Sequence, residues 1–245
     1  MESPMERWYG AAGARFSVRS YAAAPTDEQL AALKQSAATL STRGARLVVT
    51  RDDAVFSGLL GKKIKGTDAF AALVSADARP ETAGYIGEAF VLECAAMGLG
   101  TCWLGANFSK AGLNKAVALA QDEKTACVIS IGVSTEKYAA RKRRSLAELT
   151  EIPEEEYAAL PEWKRCAIEC ARMAPSAMNA QPWSFDPSGA GIGVENVSWN
   201  FGYGRLDCGI AMLHIELGAA HCGVFGEWRE DKLTNTFLPA AQTKG

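Results

Sequence analysis

Histidine is scarce: only His214 and His221 occur, both in one helical stretch, and they form no HExxH pair. That removes the commonest zinc-hydrolase signature and leaves few candidates for a histidine general base. There is no large excess of either charge, since 26 basic residues face 28 acidic ones for a formal net charge of −2. A general nucleic-acid binder would carry a basic surplus, so no nucleic-acid partner is expected. No apolar run reaches the ~18 residues that a membrane span needs. The longest apolar stretch, around residues 89–103, is broken by Glu93. The first residues, MESPMERWYG, lack a basic segment followed by an apolar one, so no secretory signal is expected. The seven cysteines are odd in number and most lie in apolar, helix-like stretches. Buried cysteines there act as small hydrophobes, which argues for a reducing cytoplasm and against a disulfide framework. Cys166 and Cys170 stand one helical turn apart, but no second ligand pair accompanies them, so no metal site is expected.

What is present is an ordinary folded composition. Of the 245 residues 48% are hydrophobic and 22% charged, enough chain for one large α/β domain or two small ones. Thr26 with Gln29 predicts a capping box that opens a helix running to about Leu40. Strands are predicted at 45–50, 69–76 and 126–132, with a glycine- and lysine-rich loop at 58–66. Residues 84–97 read as a helix apolar on most faces, which belongs at the centre of a domain. A short helix fits 110–120. Residues 152–157 read as a linker, 161–173 as a helix ended by Pro175, and 183–199 as strand and turn. Residues 207–225 give a second strongly apolar helix, and the chain from Pro239 onward reads as a frayed tail. Helix, β structure and central apolar helix thus occur twice, over 26–105 and 161–228, although letter-by-letter identity between the two is weak. The domains expected are 1–150 and 158–238.

Four segments carry chemistry. In an extended RFSVR, Arg15, Ser17 and Arg19 face one side and offer two guanidinium forks and a hydroxyl, a set suited to phosphate. An ordinary solvated surface is the alternative. In APSAMNAQPW, residues 174–183, two prolines stiffen a loop whose tip bears Ser176 and Asn179. Asn179 can both donate and accept, so it can pair with a ring edge that shows both, such as that of a flavin pyrimidine; a polar helix-to-strand turn is the alternative. In GLGTCWLG, residues 98–105, glycines permit close backbone approach, so that the amides of Leu104 and Gly105 can meet a flat cofactor. The alternative there is a glycine stop beside a core tryptophan. The basic run at 141–144 reads as a solvated face, with a phosphate contact from Lys142 or Arg144 conditional on the first segment lying near.

RFSVRSY, GLGTCWLG and APSAMNAQPW together resemble the nitroreductase family of FMN-binding flavoproteins, with matches spread over about 15–228. The resemblance implies that Arg15, Ser17 and Arg19 hold the FMN phosphate, helped by Lys142 and Arg144. It implies that Leu104 and Gly105 lay backbone against the isoalloxazine, and that Pro175, Ser176, Ala177 and Asn179 meet the ring and ribityl chain. Ordinary members carry the proline–serine loop soon after the arginine segment and assemble as homodimers. Here the loop comes after the second-half helix. The resemblance is therefore to the branch in which one chain mimics the dimer. The implied fold is α+β and internally duplicated, with central apolar helices flanked by β-sheets. Polar flavin contacts from the helix that usually follows the loop have no clear match. The implied activity is two-electron transfer from NADH or NADPH through FMN to a small-molecule acceptor such as a nitroaromatic or quinone. The chain would act as a monomer and an internal pseudo-dimer. Flavin storage or sensing, and another flavin reaction such as reductive dehalogenation, are the rival functions. No catalytic side chain is named, because the cofactor carries the chemistry.

Overall fold

The structure, a computed structural model, describes residues 3–42, 44–57, 64–76, 79–231 and 234–240. Residues 58–63 of the predicted loop and 241–245 of the predicted tail lie outside the described residues. In chain order the elements are α1 (Pro4–Ala14), β1 (Tyr21–Ala23), α2 (Asp27–Leu40), β2 (Ala45–Arg51), β3 (Ala69–Ser75), α3 (Pro80–Ala96), β4 (Gly100–Leu104), α4 (Lys110–Ala116) and β5 (Lys124–Ser134). They continue with α5 (Leu146–Thr150), α6 (Glu154–Ala159), α7 (Glu162–Arg172), β6 (Trp183–Asp186), β7 (Ile192–Asn196), α8 (Gly204–His221), β8 (Gly226–Glu230) and β9 (Thr234–Pro239). They fall into two compact units. One comprises Ala14–Ala140, the other Met1–Gly13 with Arg141–Gly245. The first thirteen residues therefore group with the C-terminal part, whereas the sequence pattern groups them with 14–150.

The Ala14–Ala140 unit is an antiparallel sheet in the order β1-β5-β3-β2, with β4 also paired to β5. The eleven-residue β5 is long enough to serve three partners. It meets β3 from Phe70↔Ser130 onward, β4 from Gly100↔Gly132 to Leu104↔Val128, and β1 at Tyr21↔Ser134. β3 (AFAALVS) is buried along nearly its whole length, as its unbroken apolar run requires of a central strand. The helix α3 packs on this sheet and buries ten residues, including Phe90, Leu92 and the acidic Glu88. The capping box at α2 is present as read: Thr26 Oγ1 accepts from Gln29 N–H, and Gln29 Oε1 accepts from Thr26 N–H.

In the second unit β6-β7-β9-β8 form a four-stranded antiparallel sheet. α8 lies on it and packs against α7. Trp183, Phe185 and Phe237 are fully buried, and Trp163 and Trp228 both pack their rings on Phe237. α7 and α8 come very close: a Cβ on Gly218 would lie 2.6 Å from the Cα of Ala167, so only glycine fits.

Several expectations are corrected. The first helix is α1, before the capping box; Tyr9 stacks on His221 at 3.9 Å, and Glu6 pairs with His221 at 3.1 Å. The supposed linker at 152–157 contains α6, which starts after Pro153 with three acidic residues in its first turn, where the helix dipole favours them. The predicted tail from Pro239 begins inside β9, and β8 leaves no signal in the sequence, because its exposed, charged face has no strong apolar alternation. α4 stops at Ala116 rather than Ala120, since Val117 is already extended. Cys166 and Cys222 form a disulfide, against the expectation of none. Its partners are 56 residues apart, and only the packing of α7 on α8 brings them together. The cysteine argument for a reducing compartment loses its premise. Among the described residues no helix is long and apolar enough to cross a membrane.

Candidate functional site

In the Ala14–Ala140 unit the RFSVR segment runs beside β4, with Ser17 bridged in parallel to Thr101 and Val18 N–H donating to Thr101 O at 2.8 Å. Val18 points into the core at 1% exposure, which turns its neighbours in sequence the other way. Of the three predicted phosphate ligands, Ser17 hydrogen-bonds the Cys102 thiol, and Arg15 and Arg19 act on it through their charge. Burial pushes that thiol's pKa up, while the charges of Arg19 and Arg15 and a hydrogen bond from Ser17 pull it back. Two cations and a hydroxyl thus act on one buried thiol.

Acids that sequence reading passed over face this segment. Glu88 on α3, fully buried, lies 3.6 Å from Arg15 Nε and accepts from the Trp103 indole N–H at 3.1 Å. The Arg15 side chain is only 5% exposed, yet among the described residues its Nε has no hydrogen-bond partner. Glu136, just past β5, accepts from the backbone N–H groups of both Arg19 and Ser20, each at 2.7 Å. Two successive backbone donors closing on one carboxylate show that this stretch can hold an anion. Arg15 also lines a small cavity of about 180 Å³ with Phe16, Gly98, Leu99 and Thr101. Leu104, buried, ends β4, and half-buried Gly105 follows it.

The second unit carries the other predicted residues. Pro175 is buried and Ser176, Ala177 and Asn179 are half-buried, in a turn whose tip, Met178, is 85% exposed. Met178, Asn179 and Gln181 all have left-handed backbones, with φ of 55°, 58° and 50°. Ser176 Oγ accepts from Gln181 N–H at 2.8 Å. The side chain of Asn179 is already engaged: its Oδ1 accepts from Arg143 Nη1 at 2.7 Å, and its Nδ2 donates to Lys142 O at 2.9 Å. Within the basic run it is therefore Arg143 that holds the loop, donating also to Met173 O. Arg144 spends its guanidinium on the carbonyls of Glu148, Gln181 and Trp183. Lys142 is exposed. The sequence offered no way to choose among four adjacent cations, because which one turns inward depends on the path of residues 141–144.

Two more unforeseen residues complete this loop. Asp207, on the first turn of α8 and 2% exposed, accepts from Ala177 N–H at 3.1 and 3.2 Å and from Asn200 Nδ2 at 2.7 Å. Burial pushes its carboxyl up to about 7, although those two donors work against the rise. Elsewhere in the unit Cys170 lies beside His214, whose Nδ1 is 3.1 Å from Cys170 O. Among the described residues no cluster of three or more His, Cys, Asp or Glu side chains could hold a metal ion.

A scan of family models matches residues 8–219 to the family described as "Putative TM nitroreductase". No curated protein matches the chain. Among solved structures, one from Thermotoga maritima MSB8, itself described as a putative nitroreductase, is 19% identical. It covers 97% of this chain and 95% of its own, with a TM-score of 0.69. An FMN-dependent nitroreductase from Clostridium difficile R20291 is 20% identical over 54% of this chain and 91% of its own, TM-score 0.45. The NADPH:FMN oxidoreductase of Vibrio harveyi, complexed with NAD+, is 17% identical over 60% and 76%, TM-score 0.48. The Thermotoga structure shows the same α+β fold over almost the whole chain. With the family model spanning most of the sequence, the chain belongs to the nitroreductase family that model describes.

Proposed function

We propose that this protein is an FMN-dependent oxidoreductase that passes two electrons from NADH or NADPH to a small acceptor such as a nitroaromatic or a quinone. The observation that carries the reading is the convergence of Arg15, Ser17 and Arg19 on one region of a nitroreductase-family chain. The groups there fit a phosphate. Arg15 has a buried Nε that faces Glu88 and has no hydrogen-bond partner among the described residues, Arg19 and Ser17 add a fork and a hydroxyl, and the adjacent backbone N–H groups already hold a carboxylate. Leu104 and Gly105 would offer backbone to the ring. The loop of Pro175, Ser176, Ala177 and Asn179 would meet it through backbone more than through the Asn179 amide, which Arg143 and Lys142 O occupy. Of the two basic residues assigned to the phosphate, Arg144 is committed to carbonyls, whereas Lys142 is exposed. Bound FMN would supply the redox chemistry; the chain binds it, orients it and restricts water.

The test is an FMN titration of the chain against the Arg15→Ala/Arg19→Ala double variant. Hydrogen bonds to charged groups contribute about 1.5–3 kcal/mol each, so a loss of about tenfold or more per arginine is expected. Unchanged affinity would discard the phosphate assignment. Anaerobic bleaching of bound FMN by NADH or NADPH, followed by reoxidation with menadione, then separates an enzyme from a flavin store. A flavin that stays yellow under excess of both nucleotides would favour the store.

A further inference from the structure

Ala177, in the middle of the loop assigned to the flavin, is gripped on both sides of its residue. Its N–H donates to Asp207, and its C=O accepts from Asn200 Nδ2 at 3.1 Å. Asn200 Nδ2 also donates to Asp207, so the three residues close one hydrogen-bonded ring. The loop is one that needs such a grip. Met178 and Asn179 follow Ala177 in left-handed backbone, and Asn200 and Phe201 do the same at φ of 39° and 56°. Residues with a Cβ enter that region reluctantly and stay there when their surroundings over-determine them. The Asn200 side chain and the Asp207 carboxylate are what over-determine these two turns together. The Asp207 carboxyl accepts from the Ala177 N–H and from Asn200 Nδ2 at once, and so ties the two turns to one group.

We propose that Asp207 and Asn200 are positioning residues for the flavin: by fixing the Ala177 peptide they set the path of residues 175–179 against the isoalloxazine ring. This role rests on the FMN reading above, so it is tested with one readout that needs flavin and one that does not. In the full-length chain, the Ala177 amide is followed by hydrogen exchange, and bound FMN by its affinity and its visible circular dichroism. Asn200→Ala, which leaves α8 untouched, is expected to speed Ala177 exchange at least tenfold, weaken FMN about tenfold and change the flavin dichroism. Asp207→Ala is expected to do more. Asp207→Asn, which keeps one acceptor oxygen, is expected to recover most of the affinity lost in Asp207→Ala. Wild-type affinity and dichroism in Asn200→Ala, or unaltered Ala177 exchange, overturns the role. If the unmodified chain takes up no FMN, the FMN reading fails and the role toward flavin fails with it. Faster Ala177 exchange in Asn200→Ala would then report a loop clamp alone.

Discussion

Asp207 accepts its hydrogen bonds from amides, and burial holds its carboxyl near 7 against an ordinary 3.8. The folded chain therefore binds a proton there that the unfolded chain releases at about pH 4. Between those values folding is linked to proton uptake, so this group's contribution to stability is greatest in acid and falls as pH rises toward 7. Glu123 works in the opposite sense. Arg46 holds it down to about 2, so its stabilisation is present above 4.5 and is lost only in stronger acid, outside that window. Denaturant midpoints measured from pH 5 to 8 should fall with pH in the natural chain and flatten in Asp207→Asn. A slope that survives the substitution would assign it to another group. The Arg15–Ser17–Arg19 trio could be proposed from the sequence because alternation along an extended segment is a local rule. Asp207 was not: in the sequence it is one more polar residue opening an apolar helix, and its partners Ala177 and Asn200 sit in other turns.

Among the elements, the two long apolar helices and the strands β3 and β5 could be read from the pattern, because being buried on most sides leaves a nearly continuous apolar run, whereas β2 shows the alternating burial of an edge strand. β8 could not, since a strand exposed on its polar side has no such run. The tight crossing of α7 and α8 depends on Gly218, which a sequence shows only as one glycine among 23. Gly218→Ala should force the helices apart, at a cost of about 1–3 kcal/mol for overpacking. The expected result is a clear drop in the urea midpoint with no change in the transition's slope. An undiminished midpoint would mean that the backbone moves freely there. Thr26 is the control: losing that cap should cost about 1 kcal/mol and leave the helix crossing alone.

For the whole molecule the expectation concerns stoichiometry. Arg-x-Ser-x-Arg occurs once, at 15–19, and Pro-Ser-x-x-Asn once, at 175–179, so each chain owns one of each half of the proposed FMN equipment. One FMN per chain, on a monomer, is the outcome expected from flavin absorbance against protein concentration with light scattering on the same sample. Two flavins per chain, or binding confined to a dimer, would sink the single-chain reading. The sequence by itself determined the α+β class, the two apolar helices, the capping box and the phosphate-suited trio. Each of these follows from periodicity or residue type within a few positions. Tertiary structure alone decided that Arg143 turns to Asn179 and that Arg144 turns to the carbonyls around β6. It also decided that Cys166 meets Cys222 and that Asp207 holds Ala177. Those outcomes depend on contacts between residues up to 56 positions apart, which chain packing sets and local pattern does not encode.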